Sequence, residues 1–167
     1  MEKINVAVVG YGGMGRYHAN HIEEFEKFNL VGIYDIKQSA CDVATEKGVY
    51  VYPSFEAVLE DERVELIVCA TYNDCHKDIA IRAMKAGKAV ISEKPVTMCS
   101  EDLEEMIKAS EETGKLFTVH QNRRWDNDYR MVKRVLDTNE LGNVFSIDSR
   151  VYGSRGIPGD WRREKQH

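Results

Sequence analysis

The stretch Gly10-Tyr11-Gly12-Gly13-Met14-Gly15 decides the fold of this chain. An apolar run from Ile4 to Val9 precedes it and has the composition of a strand, and the residues after it have the spacing of a helix over Met14–Phe28. A strand, a glycine-rich turn and a helix in this order form a dinucleotide-binding fingerprint. We therefore predict that all six residues of the turn contact a dinucleotide cofactor.

Each of three glycines in this turn has its own physical task. Gly10 permits the tight turn, and Gly12 lets the backbone approach a pyrophosphate, because a Cβ there would collide with it. Gly15 lets the helix pack closely on the strand. The helix N-terminus then offers free N–H groups and the positive end of its dipole to the phosphates.

An acidic residue stands where the fingerprint needs one. A second apolar run, Leu30 to Tyr34, ends in Asp35, about 20 residues beyond Gly15, where a carboxylate can bind the ribose hydroxyls. Such a carboxylate repels a 2′-phosphate, so the sequence favours NAD, although Lys37 softens this preference and leaves NADP open. The alternative interpretation is a structural turn followed by a surface aspartate.

The rest of the first 120 residues alternates between two patterns. Near-continuous apolar runs predict buried strands, and the segments between them predict helices. The strands are Ile4–Val9, Leu30–Tyr34, Val49–Tyr52, Leu66–Ala70, Ala89–Ser92 and Leu116–His120. The later helices are Gln38–Lys47, Ser54–Glu60, His76–Ala86 and Glu101–Thr113. This order predicts an α/β fold, a Rossmann-type doubly wound parallel sheet.

The pattern changes after about residue 120. A helix is predicted over Asn127–Leu136 and a strand over Val144–Tyr152, and neither belongs to the first alternation. We therefore expect a nucleotide-binding Rossmann domain over residues 1–121. Residues 122–167 are then the first helix and strand of an incomplete α/β C-terminal domain.

Glu93-Lys94-Pro95 directly follows the fifth predicted strand. Ligands of open α/β sheets bind outside the carboxyl ends of the strands, so a lysine here is placed to act. A lysine whose pKa falls can donate and accept a proton near neutral pH. Glu93 can bind a cofactor ribose or tune Lys94, and a cis bond before Pro95 would aim the lysine. The alternative is a charged surface turn.

Thr71-Tyr72-Asn73-Asp74-Cys75-His76 follows the fourth predicted strand, at the edge of the same crevice. Thr71 and Asn73 can hydrogen-bond a phosphate or a ribose, and His76 can contact the cofactor. The alternative is a helix cap with His76 on the surface.

Bulk composition excludes several classes of protein. The chain of 167 residues is 43% hydrophobic and 31% charged, as expected for a globular protein, and its net charge of −5 argues against nucleic-acid binding. No apolar run is long enough to span a membrane, and the strand at the N-terminus leaves no room for a signal peptide. We therefore expect a cytoplasmic protein.

No metal site is expected, because the Cys and His residues lack zinc-ligand spacing. His18 and His21 lie three residues apart on the first predicted helix, which is more typical of a surface pair than of two ligands.

Taken together, these motifs resemble the Gfo/Idh/MocA oxidoreductases, which include glucose–fructose oxidoreductase and inositol dehydrogenase. The resemblance covers essentially the whole chain. The residues that carry it, besides the glycine turn, are Asp35, Thr71, Asn73, His76, Ala86-Gly87-Lys88 and Glu93-Lys94-Pro95.

The resemblance implies a nicotinamide-dependent dehydrogenase that transfers a hydride between NAD(P) and a sugar, a polyol or a related hydroxy compound. Lys94 would be the catalytic residue that holds the substrate hydroxyl and moves its proton, and Glu93 would lie near the nicotinamide ribose. Members of the family are about twice as long. Their second domain supplies a histidine, an aspartate and most of the substrate pocket, so we expect this truncated chain to be inactive alone.

Three interpretations of the function therefore remain at this point. The first is an oxidoreductase present as a truncated chain, and the second is a non-catalytic dinucleotide-binding module or sensor. The third is a structural Rossmann domain without a ligand. The unpaired strand edge of residues 122–167 also suggests a homo-oligomer.

Overall fold

The computed structural model describes residues 3–150 and residue 152. The chain divides into two units, Met1–His120 and Gln121–His167. No helix among the described residues is both long and apolar enough to cross a bilayer.

The first unit is built on one parallel sheet of five strands. The strands are β1 (Ile4–Val9), β2 (Phe28–Tyr34), β3 (Leu66–Cys69), β4 (Ala89–Ser92) and β5 (Phe117–Val119). Their order across the sheet is β2-β1-β3-β4-β5, and every pair is parallel. The order reverses between β1 and β3, which confirms the predicted Rossmann-type α/β fold.

Helices connect the strands and continue beyond them. They are α1 (Gly13–Ile22), α2 (Gln38–Glu46), α3 (Phe55–Glu60), α4 (His76–Lys85), α5 (Ser100–Thr113) and α6 (Asn127–Asp137). Most predicted elements agree with these bounds to within two residues at each end.

Side chains that alternate between the two faces of the central strands build two separate cores. Ala7 and Val9 of β1 pack into a core with buried residues of α3, α4 and α5, among them Met84 and Met106. The intervening Val6 and Val8 pack into a second core with buried residues of α1 and α2. Because successive strand side chains point to opposite faces, one short apolar run supplies both layers. This arrangement makes the sheet doubly wound.

Two predicted elements of the first unit are wrong. Val49–Tyr52 is not a strand, because it pairs with β2 only through a bridge between Ile33 and Val51. Pro53 follows directly and has no N–H with which to extend the ladder. The helix predicted to reach Phe28 ends at Ile22, because Phe28 pairs with Ile4 as the first residue of β2.

The second unit contains helix α6, as predicted. The apolar side chains on this helix, Tyr129, Val132, Val135 and Leu136, are exposed. The strand predicted over Val144–Tyr152 is absent from its described part, residues 144–150 and 152. A segment becomes a strand only when a neighbouring strand completes its hydrogen bonds, and the described residues supply none here. Val151 and residues 153–167 lie outside the described part of the chain.

Candidate functional site

The candidate site of the first unit lies at the carboxyl edge of the sheet, where the strand order reverses. The glycine turn follows β1, Asp35 follows β2, Thr71 comes shortly after β3, and Glu93 and Lys94 follow β4. Since all five strands are parallel, these segments meet at one edge.

The glycine turn is closed at two positions that exclude any side chain. Gly10 has a φ of +90°, and a Cβ there would lie 2.5 Å from the carbonyl oxygen of Ala70. A Cβ on Gly15 would overlap the carbonyl oxygen of Gly10. The sequence predicts a tight turn at Gly10 and close helix packing at Gly15, and the structure shows the backbone atoms that the two residues approach.

Two other glycines border open space at the start of α1. A Cβ built on Gly12 or Gly13 would meet no atom within 4 Å. No side chain caps the helix at Gly12, and no acidic residue lies in its first turn. The N–H groups of this turn have no partner within the helix, so they and the helix dipole are available to an anion. Met14 is also exposed here.

Asp35 joins the end of β2 to the glycine turn. Its Oδ2 accepts a hydrogen bond of 2.6 Å from the N–H of Tyr11, and its Oδ1 accepts one of 2.8 Å from the N–H of Lys37. A carboxylate can accept further hydrogen bonds, so a ribose hydroxyl can still be added. Tyr11 meets Asp35 through its backbone, because its side chain is buried in the core shared with α1 and α2.

Glu93 lies in a cluster that the sequence analysis did not foresee. Its Oε1 is 2.7 Å from Nε2 of His18 on α1 and 2.9 Å from Nδ1 of His120, which directly follows β5. The Glu93 residue is only 5% exposed, and the two imidazole rings meet edge to face. We refer to His18, Glu93 and His120 as the His–Glu–His triad.

Hydrogen bonding decides the charge of Glu93. Burial by itself raises the pKa of this carboxyl group, but hydrogen bonds from His18, the Lys94 N–H and His120 outweigh burial and lower the pKa to about 2. Glu93 is therefore ionised at neutral pH and acts only as an acceptor. It follows that Nε2 of His18 and Nδ1 of His120 carry the protons.

Two imidazoles and a carboxylate are also a possible ligand set for zinc. The ligand atoms of the triad lie within 4.8 Å of one another. Ligands of a tetrahedral zinc with bonds of about 2.0–2.1 Å stand about 3.3 Å apart. The shorter spacings from Oε1 of Glu93, 2.7 and 2.9 Å, are those of hydrogen bonds. The triad is therefore a hydrogen-bonded cluster.

Lys94 is exposed, and its backbone N–H donates to Oε2 of Glu93 over 3.2 Å. The peptide bond between Lys94 and Pro95 is cis, as the sequence suggested. The position of Lys94 is thus linked through Glu93 to His18 and His120.

His76 is fully buried, which corrects the alternative that placed it on the surface. Its Nδ1 lies 3.0 Å from the carbonyl oxygen of Pro95, and its Nε2 lies 3.3 Å from that of Thr71. The ring therefore lies between the segment after β3 and the segment after β4, and an imidazole with one N–H donates to only one of the two oxygens. Thr71 and Asn73 are partly exposed at the same edge, and Asn73 begins a short 3-10 helix before α4.

Sequence reasoning missed His18 and His120 as members of the site. They are 75 and 27 positions from Glu93, so no local motif joins them. One signal was available for His120, because it is the last residue of a predicted strand and so reaches the same edge as Lys94. His18 was interpreted instead as one of a surface pair with His21.

Comparisons with known proteins agree with the fold of the first unit. The sequence profile of the Gfo/Idh/MocA group, described as an oxidoreductase family with an NAD-binding Rossmann fold, matches residues 4–121. The crystal structure of an NAD-binding protein from Listeria innocua is 45% identical with a TM-score of 0.92, over 97% of this chain and 47% of that one.

Two of the curated relatives are inositol dehydrogenases of Bacillus subtilis. A scyllo-inositol 2-dehydrogenase (NAD(+)) is 33% identical over 84% of this chain and 42% of its own length. A scyllo-inositol 2-dehydrogenase (NADP(+)) is 27% identical over 99% of this chain and 46% of its own length. The chain thus spans less than half the length of these relatives.

Proposed function

The chain belongs to the Gfo/Idh/MocA oxidoreductase family, and from that premise we propose that it is the cofactor-binding part of an NAD(P)-dependent dehydrogenase. Its reaction is the transfer of a hydride between the nicotinamide and a carbon that carries a hydroxyl group, in a polyol such as an inositol or in a sugar. The observation that carries the proposal is the open, uncapped N-terminus of α1, with Asp35 beside it and Lys94 at the same sheet edge.

The residues present fit a dinucleotide. Gly12 and Gly13 leave room for phosphates against the first turn of α1, whose N–H groups would hold them. The carboxylate of Asp35 is fixed by two backbone N–H groups and would accept a hydrogen bond from a ribose hydroxyl. Thr71 and Asn73 offer further hydrogen bonds, while buried His76 acts indirectly, from its place between their segment and Pro95.

NAD is the preferred cofactor in this proposal. The fixed carboxylate of Asp35 would repel a 2′-phosphate. Lys37 donates its N–H to Asp35, and its ammonium group lies 5.4 Å from the centre of the Tyr72 ring. The positive charge of Lys37 would offset part of the repulsion by Asp35, so NADP stays a weaker alternative. The two inositol dehydrogenases of Bacillus subtilis are named one for NAD(+) and the other for NADP(+).

Lys94 is the residue proposed to handle the proton. The nicotinamide, when bound, supplies hydride transfer. Oxidation of an alcohol also requires that the hydroxyl proton leave, and an amine at this edge can hold the oxygen and accept the proton. The Glu93 carboxylate already accepts hydrogen bonds from His18, His120 and the Lys94 N–H. In this proposal it binds the nicotinamide ribose through its remaining lone pairs.

The substrate class in this proposal rests on the relatives. In this proposal residues 122–167 begin a second domain that completes the pocket and supports self-association. The alternative, a non-catalytic dinucleotide-binding module, predicts the same cofactor affinity without turnover of any polyol.

A titration with NADH and then NADPH tests the proposal. Gly12→Asp places a side chain and a negative charge in the open space, where an aspartate is also a good helix cap. We expect this variant to lose NADH binding while its thermal stability does not fall. Ser100→Asp, which adds the same charge in the first turn of α5, is the matched control and should bind NADH normally. The proposal fails if the unmodified chain binds neither cofactor or if Gly12→Asp binds as well as the control.

A further inference from the structure

The His–Glu–His triad joins three separate elements around the backbone of one residue. His18 comes from α1, the helix whose N-terminus is proposed to hold the cofactor phosphates. Glu93 follows β4, and His120 follows β5. Lys94 is next to Glu93 in the chain, and its N–H is bonded to the Glu93 carboxylate. The triad therefore links the phosphate-binding helix to the proposed proton-handling residue.

The Glu93 carboxylate can fix the Lys94 N–H only while other hydrogen-bond donors fix the carboxylate itself. Oε1 accepts both imidazole N–H groups, and Oε2 accepts the Lys94 N–H. A buried ionised carboxylate that loses a donor is left under-satisfied, and it must rotate, recruit water or take up a proton. Each of these changes weakens the bond to the Lys94 N–H. The position of Lys94 thus depends on two histidines that do not contact its side chain in the described structure.

We propose that His18 and His120 are positioning residues that fix Lys94 through Glu93. This inference rests on the proposed function, because it gives Lys94 a role that requires accurate placement. Each of the two rings acts by donating one hydrogen bond from one nitrogen. A side chain of similar shape without a donor would not fix Lys94. A misplacement of a catalytic group by about 1 Å can cost on the order of a hundredfold in rate.

Matched substitutions separate the donor from the ring. The amide nitrogen of glutamine can replace Nε2 of histidine, and that of asparagine can replace Nδ1. His18→Gln and His120→Asn therefore keep a donor, whereas His18→Leu and His120→Leu remove it. His21→Leu is the control, since His21 lies on the same helix but contacts the carbonyl oxygen of Tyr17.

The experiment follows the Lys94 amide and the Glu93 carboxyl carbon by NMR in the cofactor-free chain. In both leucine variants we expect amide exchange at Lys94 to accelerate about tenfold or more. We also expect Glu93 to titrate above about pH 4 in these variants, where the signal of the unmodified chain should stay flat. The glutamine and asparagine variants and His21→Leu should resemble the unmodified chain.

Two results would overturn the inference. One is an unchanged Lys94 amide in both leucine variants, and the other is equal disturbance by the donor-keeping and leucine variants. If a leucine variant does not fold, Glu93→Gln supplies the comparison, because it weakens the acceptor and must accelerate exchange at Lys94. These signals are read without cofactor, so their failure is distinguishable from a failure of NADH binding in the unmodified chain.

Discussion

The two ends of the candidate site are built in different ways. The proposed phosphate end, from Gly10 to Gly15, is mostly backbone, because four of its six residues are glycines. The end around Lys94 consists of side chains that come from three distant parts of the sequence. An added methyl group should therefore damage the first end most, and the loss of a donor or a charge should damage the second.

The largest effect is expected for Gly15→Ala. The new Cβ would overlap the carbonyl oxygen of Gly10, so α1 would have to move away from β1. We expect a loss of about 3 kcal/mol or more in the free energy of unfolding, together with loss of NADH binding. Urea denaturation and a cofactor titration measure the two effects. Gly13→Ala is the control, since its Cβ meets no atom within 4 Å. Equal stability of the two variants would contradict the tight packing of the turn.

A smaller and more selective effect is expected for Glu93→Ala. It leaves the N–H groups of His18 and His120 without their acceptor, at a cost of about 1–3 kcal/mol in the free energy of unfolding. The backbone of the phosphate end is unchanged, so the affinity for ADP, which lacks the nicotinamide and the ribose attached to it, should stay the same. Calorimetry of ADP against Glu93→Ala and Gly12→Asp makes the comparison. Loss of ADP binding in Glu93→Ala would show that the two ends are not independent.

The side-chain end should also be sensitive to acid. The pKa of Glu93 in the folded chain, about 2, is below its ordinary value of 4.5. The stability that the ionised carboxylate contributes is therefore fully present above about pH 4.5 and is lost as the pH falls toward 2. Asp61, whose pKa is held low mainly by Arg63, also makes stability fall in acid. The measurement is therefore the difference in stability between the unmodified chain and a Glu93 variant. The stability gap between the unmodified chain and Glu93→Gln should narrow below about pH 4.5, and a constant gap would refute the assignment.

The smallest effect is expected for Asp35→Asn, which tests the phosphate end without adding bulk. The amide oxygen can still accept the N–H of Tyr11, but the repulsion of a 2′-phosphate is lost. We expect the ratio of NADPH to NADH affinity to rise by about tenfold, a change of about 1.4 kcal/mol. Fluorescence titrations with both cofactors give this ratio. Glu46→Gln, which removes an acidic charge at the end of α2, is the control and should leave it unchanged.

The contrast between the two ends explains how much the sequence could predict. The glycine turn, Asp35 and the flanking strands were predictable because the fingerprint has a fixed spacing along the chain and depends mainly on backbone geometry. Even there, the end of α1 was predicted too late, because the pairing of Phe28 with Ile4 in the sheet overrides a local helical pattern.

The His–Glu–His triad was not predictable in the same way. It forms only when α1, β4 and β5 are folded together, and its members have no fixed spacing in the chain. The same limit applies to Val49–Tyr52, whose apolar residues resemble a strand although only Val51 pairs with the sheet. The sequence shows which residues are apolar and therefore tend to be buried. It does not show which residue of another helix or strand each one will contact.

The double attachment of Asp35 restricts how this protein can evolve a new cofactor preference. Its two oxygens also tie β2 and the start of α2 to the glycine turn, so a mutation that simply deletes the carboxylate releases both segments. A lineage that adopts the phosphorylated cofactor must pass through a residue that still accepts at least one of those N–H groups, such as asparagine or serine, each of which has a single side-chain oxygen. Few single-step replacements meet both demands, so a shift in preference would require paired substitutions or a gain of cations nearby.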